Sequence, residues 1–179
     1  MNFAATRVLR YDHRTILLHW LVAALVFLLW SLGQTIDLFP KGDARVVARS
    51  TRISLGATLA SVLAFRIWWR LGAGTRLPPP TGDWLDTVAT LVHKALYALL
   101  ITTVLLGVAN AWVRGDTLFN VFKIPAFDPG NRALQESVAS WHAWSANSLL
   151  IVAALHAGAA LLHHFVWKDE VLRRMLPRH

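Results

Sequence analysis

From Ile16 to Ile36 the chain reads ILLHWLVAALVFLLWSLGQTI, a stretch of 21 residues whose one ionisable side chain is His19. A membrane-crossing helix needs about 20 mostly apolar residues, so this stretch is long enough to span by itself. Arg7, Arg10 and Arg14 stand before it; no cleavable leader is expected, and the first span stays. Three further spans are expected at about residues 53–69, 85–113 and 138–167. The second is short and carries Arg66 inside its end, where a long side chain snorkels to the interface. The third holds His93 and Lys94 early and then runs clean through ALYALLITTVLLGVANAWV, while the fourth holds His142, His156, His163 and His164.

Composition agrees. Hydrophobic residues make up 55% of the 179 and charged residues 16%, with a mean hydropathy of +0.44, too oily for an ordinary soluble domain of this length. The reading is all-α: one integral membrane four-helix bundle over residues 1–179. The net charge of +8 does not point to nucleic acid, because the charges lie between apolar blocks. Nine tryptophans, Trp20, Trp30, Trp68, Trp69, Trp84, Trp112, Trp141, Trp144 and Trp167, fall mostly near span ends, as an aromatic belt does in contact with lipid. Pro78, Pro79 and Pro80 make a stiff linker between spans two and three. The longest segment outside the spans, about 114–136, contains Gly115, Pro125, Pro129 and Gly130.

Four spans place both termini on one side, together with the Pro-rich linker. Eleven basic residues (Arg7, Arg10, Arg14, Arg66, Arg70, Arg76, Lys94, Lys168, Arg173, Arg174, Arg178) fall there, against seven (Lys41, Arg45, Arg49, Arg52, Arg114, Lys123, Arg132) on the other side. The bias puts the termini in the cytoplasm.

Cysteine is absent and methionine stands only at Met1 and Met175. Disulfides, thiolate metal sites, cysteine-ligated clusters and covalent c-type haem are therefore excluded. Any haem or transition-metal chemistry inside the membrane falls to histidine, and an ionisable residue within a span is by default functional. His142 and His156 are 14 residues apart, about 21 Å of helix rise and within about 40° of one face, so one helix presents two imidazoles at two depths. His19 lies near the cytoplasmic face and His156 in the cytoplasmic half, which makes them a pair able to ligate one iron from two facing helices. Small residues around His156 (Ala153, Ala154, Ala157, Gly158, Ala159, Ala160) allow close approach of a flat macrocycle or serve helix packing. His142 lies near the outer face, where the start of span two offers Arg52, which has no free lone pair for a metal. His93 lies at the depth of His19 and His156 and does not supply the outer partner. His163 and His164 are candidate contacts to a haem propionate or a quinone carbonyl; His13 and His179 read as solvated.

SWHAWSANSLLIVAALHAGAALLHHFVWKDEVLRRMLPRH, LLHWLVAAL and the ISLG…FRIWWRL block together resemble the bacterial cytochrome b561 family of small four-helix membrane cytochromes, over nearly the whole chain. The resemblance implies two non-covalent b haems and electron transfer between a membrane quinone and another redox partner. In one type it implies oxidation of superoxide at the outer face with electrons passed to ubiquinone. It also implies that His19 and His156 ligate the inner haem and that His142 ligates the outer one. The family's fourth ligand, a histidine just before the position of Ile53, is replaced by Arg52. Three arrangements stay open: one haem, a second haem on His142 alone, or a second haem with an unexpected partner ligand.

Arg45, Arg49 and Arg52 recur at i, i+4 and i+7, one face if that segment is helical, and such a face steers a small anion or meets lipid phosphates. A second class of function is a cytochrome subunit for a partner oxidoreductase, docked through the 114–136 segment with Phe119, Phe122 and Phe127. A third is a haem-free transporter or scaffold, separated from the others by a visible spectrum.

Overall fold

The computed structural model describes residues 9–79, 84–119 and 121–177. Arg7, Pro80, Arg178 and His179, used above, lie outside the described residues. Four long helices carry the fold: α1 (His13–Thr35), α2 (Asp43–Leu71), α3 (Trp84–Arg114) and α4 (Arg132–Leu162). A 3-10 turn (Ile36–Leu38) links α1 to α2, and a two-stranded hairpin, β1 (Thr117–Leu118) with β2 (Phe122–Lys123), lies between α3 and α4. α1 packs chiefly on α2 and α3 chiefly on α4.

Local chemistry explains where the helices begin. Asp12 caps α1, its carboxylate accepting from the Thr15 amide at 2.9 Å, and Asn131 caps α4 by accepting from the Leu134 amide at 3.0 Å. α2 opens on Asp43, ten residues ahead of the apolar stretch, so Arg45, Arg49 and Arg52 are all helical. The expected span at 53–69 is thus the inner part of a longer helix, and α4 likewise starts six residues before its apolar stretch. α3 runs one residue past each expected limit.

The bundle is apolar outside. Mid-helix side chains such as Phe27, Leu105 and Leu155 are 63%, 62% and 69% exposed, an arrangement that is stable only against lipid or a partner. Among the described residues, α1, α3 and α4 with its extension to Trp167 are long and apolar enough to cross a membrane, with mean hydropathies of 2.2, 1.9 and 1.9. α2, with its arginine-bearing first half, falls short of that hydropathy. A core of Val22, Leu25, Leu59, Leu63, Leu100 and Leu149 fills the centre, with Val26 packed on it.

At its far end α4 widens into a π-helical turn, His163–Trp167, which stops at Lys168 in the left-handed conformation (φ 53°). The chain then returns along the bundle end: Trp20 Nε1 donates to the Met175 carbonyl (2.9 Å), the Tyr11 amide to the Arg174 carbonyl (3.1 Å) and Arg174 Nη1 to the Pro78 carbonyl (2.7 Å). Both ends of the described chain and the Pro-rich linker meet there, as four spans require. The other end, with the hairpin and the α1–α2 turn, is the loop end.

Candidate functional site

Each helix repeats its inward position every seven residues, and the repeats stack into three layers. The central layer is Val26, Leu59, Leu100 and Leu149, all in or against the core. Seven residues toward the terminal end, about 10 Å of rise, stand His19, Arg66, His93 and His156; seven toward the loop end stand Gly33, Arg52, Gly107 and His142. The two polar layers are thus separated by a layer of leucine and valine. A seven-residue repeat holds these faces inward along the bundle.

In the terminal layer the ring centroids of His19 and His156 are 6.4 Å apart with planes at 70°. Two imidazoles on opposite sides of one metal, each nitrogen about 2 Å from it and each centroid about 1.1 Å further back, have centroids about 6 Å apart. The separation of the pair is compatible with both rings holding one haem iron. His93 stands closer to His156, at 5.1 Å between centroids, short of the separation that rings on opposite sides of one iron need. Arg66 Nη2 donates to His19 Nδ1 at 3.1 Å, and its guanidinium lies 5.5 Å from the Tyr97 ring centroid. The sequence reading sent Arg66 outward to the interface. It points inward instead, because it shares the face of Leu59 and Arg52, and that seven-residue spacing was the available signal. Of the small residues around His156, Ala154, Ala157, Gly158 and Ala159 are exposed, and a Cβ on Gly158 would meet nothing within 4 Å, whereas Ala153 and Ala160 are half-buried.

In the loop layer His142 has both ring nitrogens engaged. Nδ1 donates to the Thr103 carbonyl at 3.1 Å, and Nε2 accepts from Arg52 Nη2 at 3.3 Å. The two glycines make room for this pair. A Cβ on Gly33 would stand 3.1 Å from Arg52 Nη2, and one on Gly107 would stand 3.2 Å from His142 Cε1. Nearby, Thr103 and Ser145 share a hydroxyl hydrogen bond of 2.7 Å, and Trp30 Nε1 donates to Asn147 at 2.9 Å.

The three arginines of α2 share a helix but not a role. Arg45 donates to the Phe39 carbonyl (2.7 and 3.1 Å), Arg49 lies near Asp116, and Arg52 turns into the bundle. Asp116, just past α3, has its carboxyl pushed up by burial, against the opposing pull of Arg114 and Arg49. A cavity of about 330 Å³ opens between α2 and the hairpin, lined by Ser50, Thr51, Ser54, Thr58 and Phe119 and by none of the residues of the two polar layers. The Phe119 amide donates to Ser54 Oγ at 2.9 Å and ties the hairpin down.

His163 lies outside the layers: its Nδ1 pairs with the Asp169 carboxylate, and Trp167 stands edge-on at 4.4 Å. His164 Nδ1 is buried and has no hydrogen-bond partner among the described residues. His13 is exposed at the start of α1.

The family model for prokaryotic cytochrome b561 matches residues 10–178. The chain belongs to the prokaryotic cytochrome b561 family. Cytochrome b561 homolog 1 of Escherichia coli is 31% identical over 94% of this chain and 98% of its own length. A protein of Yersinia pestis named a probable superoxide oxidase, CybB, is 30% identical over 94% and 97%, and cytochrome b562 of Cereibacter sphaeroides is 27% identical over 93% and 94%. A cytochrome b561 is a membrane b-type cytochrome of electron transfer, and this one is a multi-pass protein of the bacterial inner membrane. The helical bundle and its apolar exterior agree with that membership.

Proposed function

We propose that the chain carries single electrons to or from a membrane quinone through a b haem held by His19 and His156, in a membrane where the termini face the cytoplasm. The observation that carries this is the 6.4 Å separation of those two rings across the bundle. A haem bound there supplies one-electron redox chemistry; the protein supplies two imidazoles, burial beneath the leucine layer and a nearby guanidinium. His19 and His156 would hold the haem, and Arg66, whose Nη2 donates to His19 Nδ1 at 3.1 Å, would supply a cation for the acid groups of the cofactor. His163, oriented by Asp169 at the same end, is the residue we assign to a quinone carbonyl or a propionate.

The protein purified with haem supplied during expression is expected to show b-type absorbance, and the His19→Ala and His156→Ala variants are each expected to lose it. Absence of the spectrum in the unmodified protein overturns the reading.

A finer reading is oxidation of superoxide at the loop end, in which two superoxide anions become two O2 and one quinone takes the two electrons with two protons. It is favoured by the name of the Yersinia pestis relative; of the three arginines on α2, Arg52 turns into the bundle and only Arg45 and Arg49 remain at the loop end to attract an anion. Quinone reduction that does not respond to a superoxide source, or that is indifferent to salt, counts against it. A partner oxidoreductase docked on the loop-end hairpin, where Phe119, Phe122 and Phe127 are exposed, is the alternative; co-purification in mild detergent would favour it.

A further inference from the structure

We infer that Arg52 and His142 close the loop-end layer as a cofactor-free polar tie, so that the chain binds one haem and exchanges electrons only through its terminal half. This rests on the reading of the protein as a b cytochrome and sharpens it.

The two polar layers occupy equivalent places in a seven-residue repeat but differ in what they offer a metal. The terminal layer holds three imidazoles and one guanidinium; the loop layer holds one imidazole, one guanidinium and two glycines. A haem iron at the loop layer would have to bind His142 Nε2, since Nδ1 already donates to the Thr103 carbonyl. Nε2 is the nitrogen that receives Arg52 Nη2 at 3.3 Å, so a cation stands where the metal would be. Arginine stays protonated and offers no lone pair; it can neither ligate from the opposite side nor be neutralised out of the way. Gly33 and Gly107 leave the space that the guanidinium and the imidazole fill. Each helix thus contributes to a layer complete without a cofactor, and a haem does not fit it.

His142 and His156 are 14 residues apart on α4, about 21 Å, with Leu149 between them. With no cofactor in the loop layer, an aqueous donor at the loop end is separated from the iron by most of the bundle. The donor and the acceptor must then both reach the terminal half. The chemistry that fits is a lipid-soluble quinol or quinone paired with a redox protein docked at that end, and the two readings that bring electrons in at the loop end, superoxide oxidation and a partner on the hairpin, are expected to fail.

The test is the haem-to-protein ratio of the full chain in detergent, with haem supplied during expression, for the unmodified protein and the His142→Ala, Arg52→Gln and Arg52→His variants. One haem per chain, kept with unchanged absorbance in His142→Ala and Arg52→Gln, is the expected result. Arg52→His releases Nε2 and adds a facing imidazole, and is expected to raise the ratio from one to two. Two haems in the unmodified protein, or loss of haem in His142→Ala, overturns the inference while leaving the cytochrome reading intact. A ratio still at one in Arg52→His overturns the assignment of the exclusion to Arg52. No haem at all in the unmodified protein overturns the cytochrome reading, and the inference with it.

Discussion

Asp12 joins three parts of the chain at the terminal end of the bundle. Its carboxylate caps α1 through the amide and hydroxyl of Thr15, accepts from Trp69 Nε1 at 3.2 Å and accepts from the Thr75 amide at 3.0 Å. Burial by itself would raise the Asp12 carboxyl, but the bonds from Thr15, Thr75 and Trp69 outweigh it and hold the carboxyl well below its ordinary value of 3.8. A carboxyl depressed in the folded state adds stability that is complete above the unfolded value and is lost as the pH falls toward the folded one. Asp12→Asn keeps a capping oxygen but not the charge. The stability difference between it and the unmodified protein is expected to be constant from about pH 5 to 7 and to shrink below about pH 4, as read by thermal unfolding in detergent. Asp12→Ala also loses the cap and is expected to cost about 0.5–2 kcal/mol at neutral pH. The cap was legible, since an aspartate stands just ahead of the first apolar stretch; Trp69 and Thr75, far along the chain, were not. His19 and His156 were legible as a pair because depth in a span follows from counting residues. Arg66 was not, because which way a long cation turns near a span end depends on which helix lies beside it.

At the scale of the helix, hydropathy found the four elements, and two of the helices begin well ahead of their apolar stretches. α2 and α4 both extend into polar sequence on the loop side, where Asp43 and Asn131 mark their first turns. An apolar window reports what lipid must cover, whereas a helix continues until its backbone groups are capped. α3 and α4 are joined by Thr103 and Ser145, whose hydroxyls bond at 2.7 Å between two apolar surfaces. Such bonds contribute about 0.6 kcal/mol in membrane bundles. Thr103→Val is therefore expected to lower stability by about that amount, seen as a small fall in the unfolding temperature. It should leave haem content unaltered, because the Thr103 carbonyl still accepts from His142. The α2 arginines show how an element's face can be read while its use is not: their helical spacing holds, yet Arg45 is spent on a carbonyl and Arg52 on an imidazole.

For the whole molecule, the absence of cysteine makes the proposed orientation directly testable. Single cysteines at Lys123 on the hairpin and at Lys168 beyond α4 report the two ends of the bundle. In intact cells a membrane-impermeant maleimide is expected to label Lys123→Cys and to spare Lys168→Cys until the membrane is opened. The reverse pattern would invert the topology and place the His19 and His156 pair on the outer side. Composition and residue spacing alone determined that the chain is a membrane helical bundle, that neither cysteine nor methionine within the spans can serve a metal, and that the position facing His142 holds an arginine; these follow from the length of apolar runs and from which residues are present. Tertiary structure decided what those residues do to one another. The seven-residue repeats of four helices had to be set in register before Arg66 joined His93 in the terminal layer. Only that register brought Arg52 onto the one free nitrogen of His142, between two glycines on helices distant in sequence. A hydrogen bond acts over about 3 Å, and no spacing along a single helix can say which partner on another helix lies within that reach.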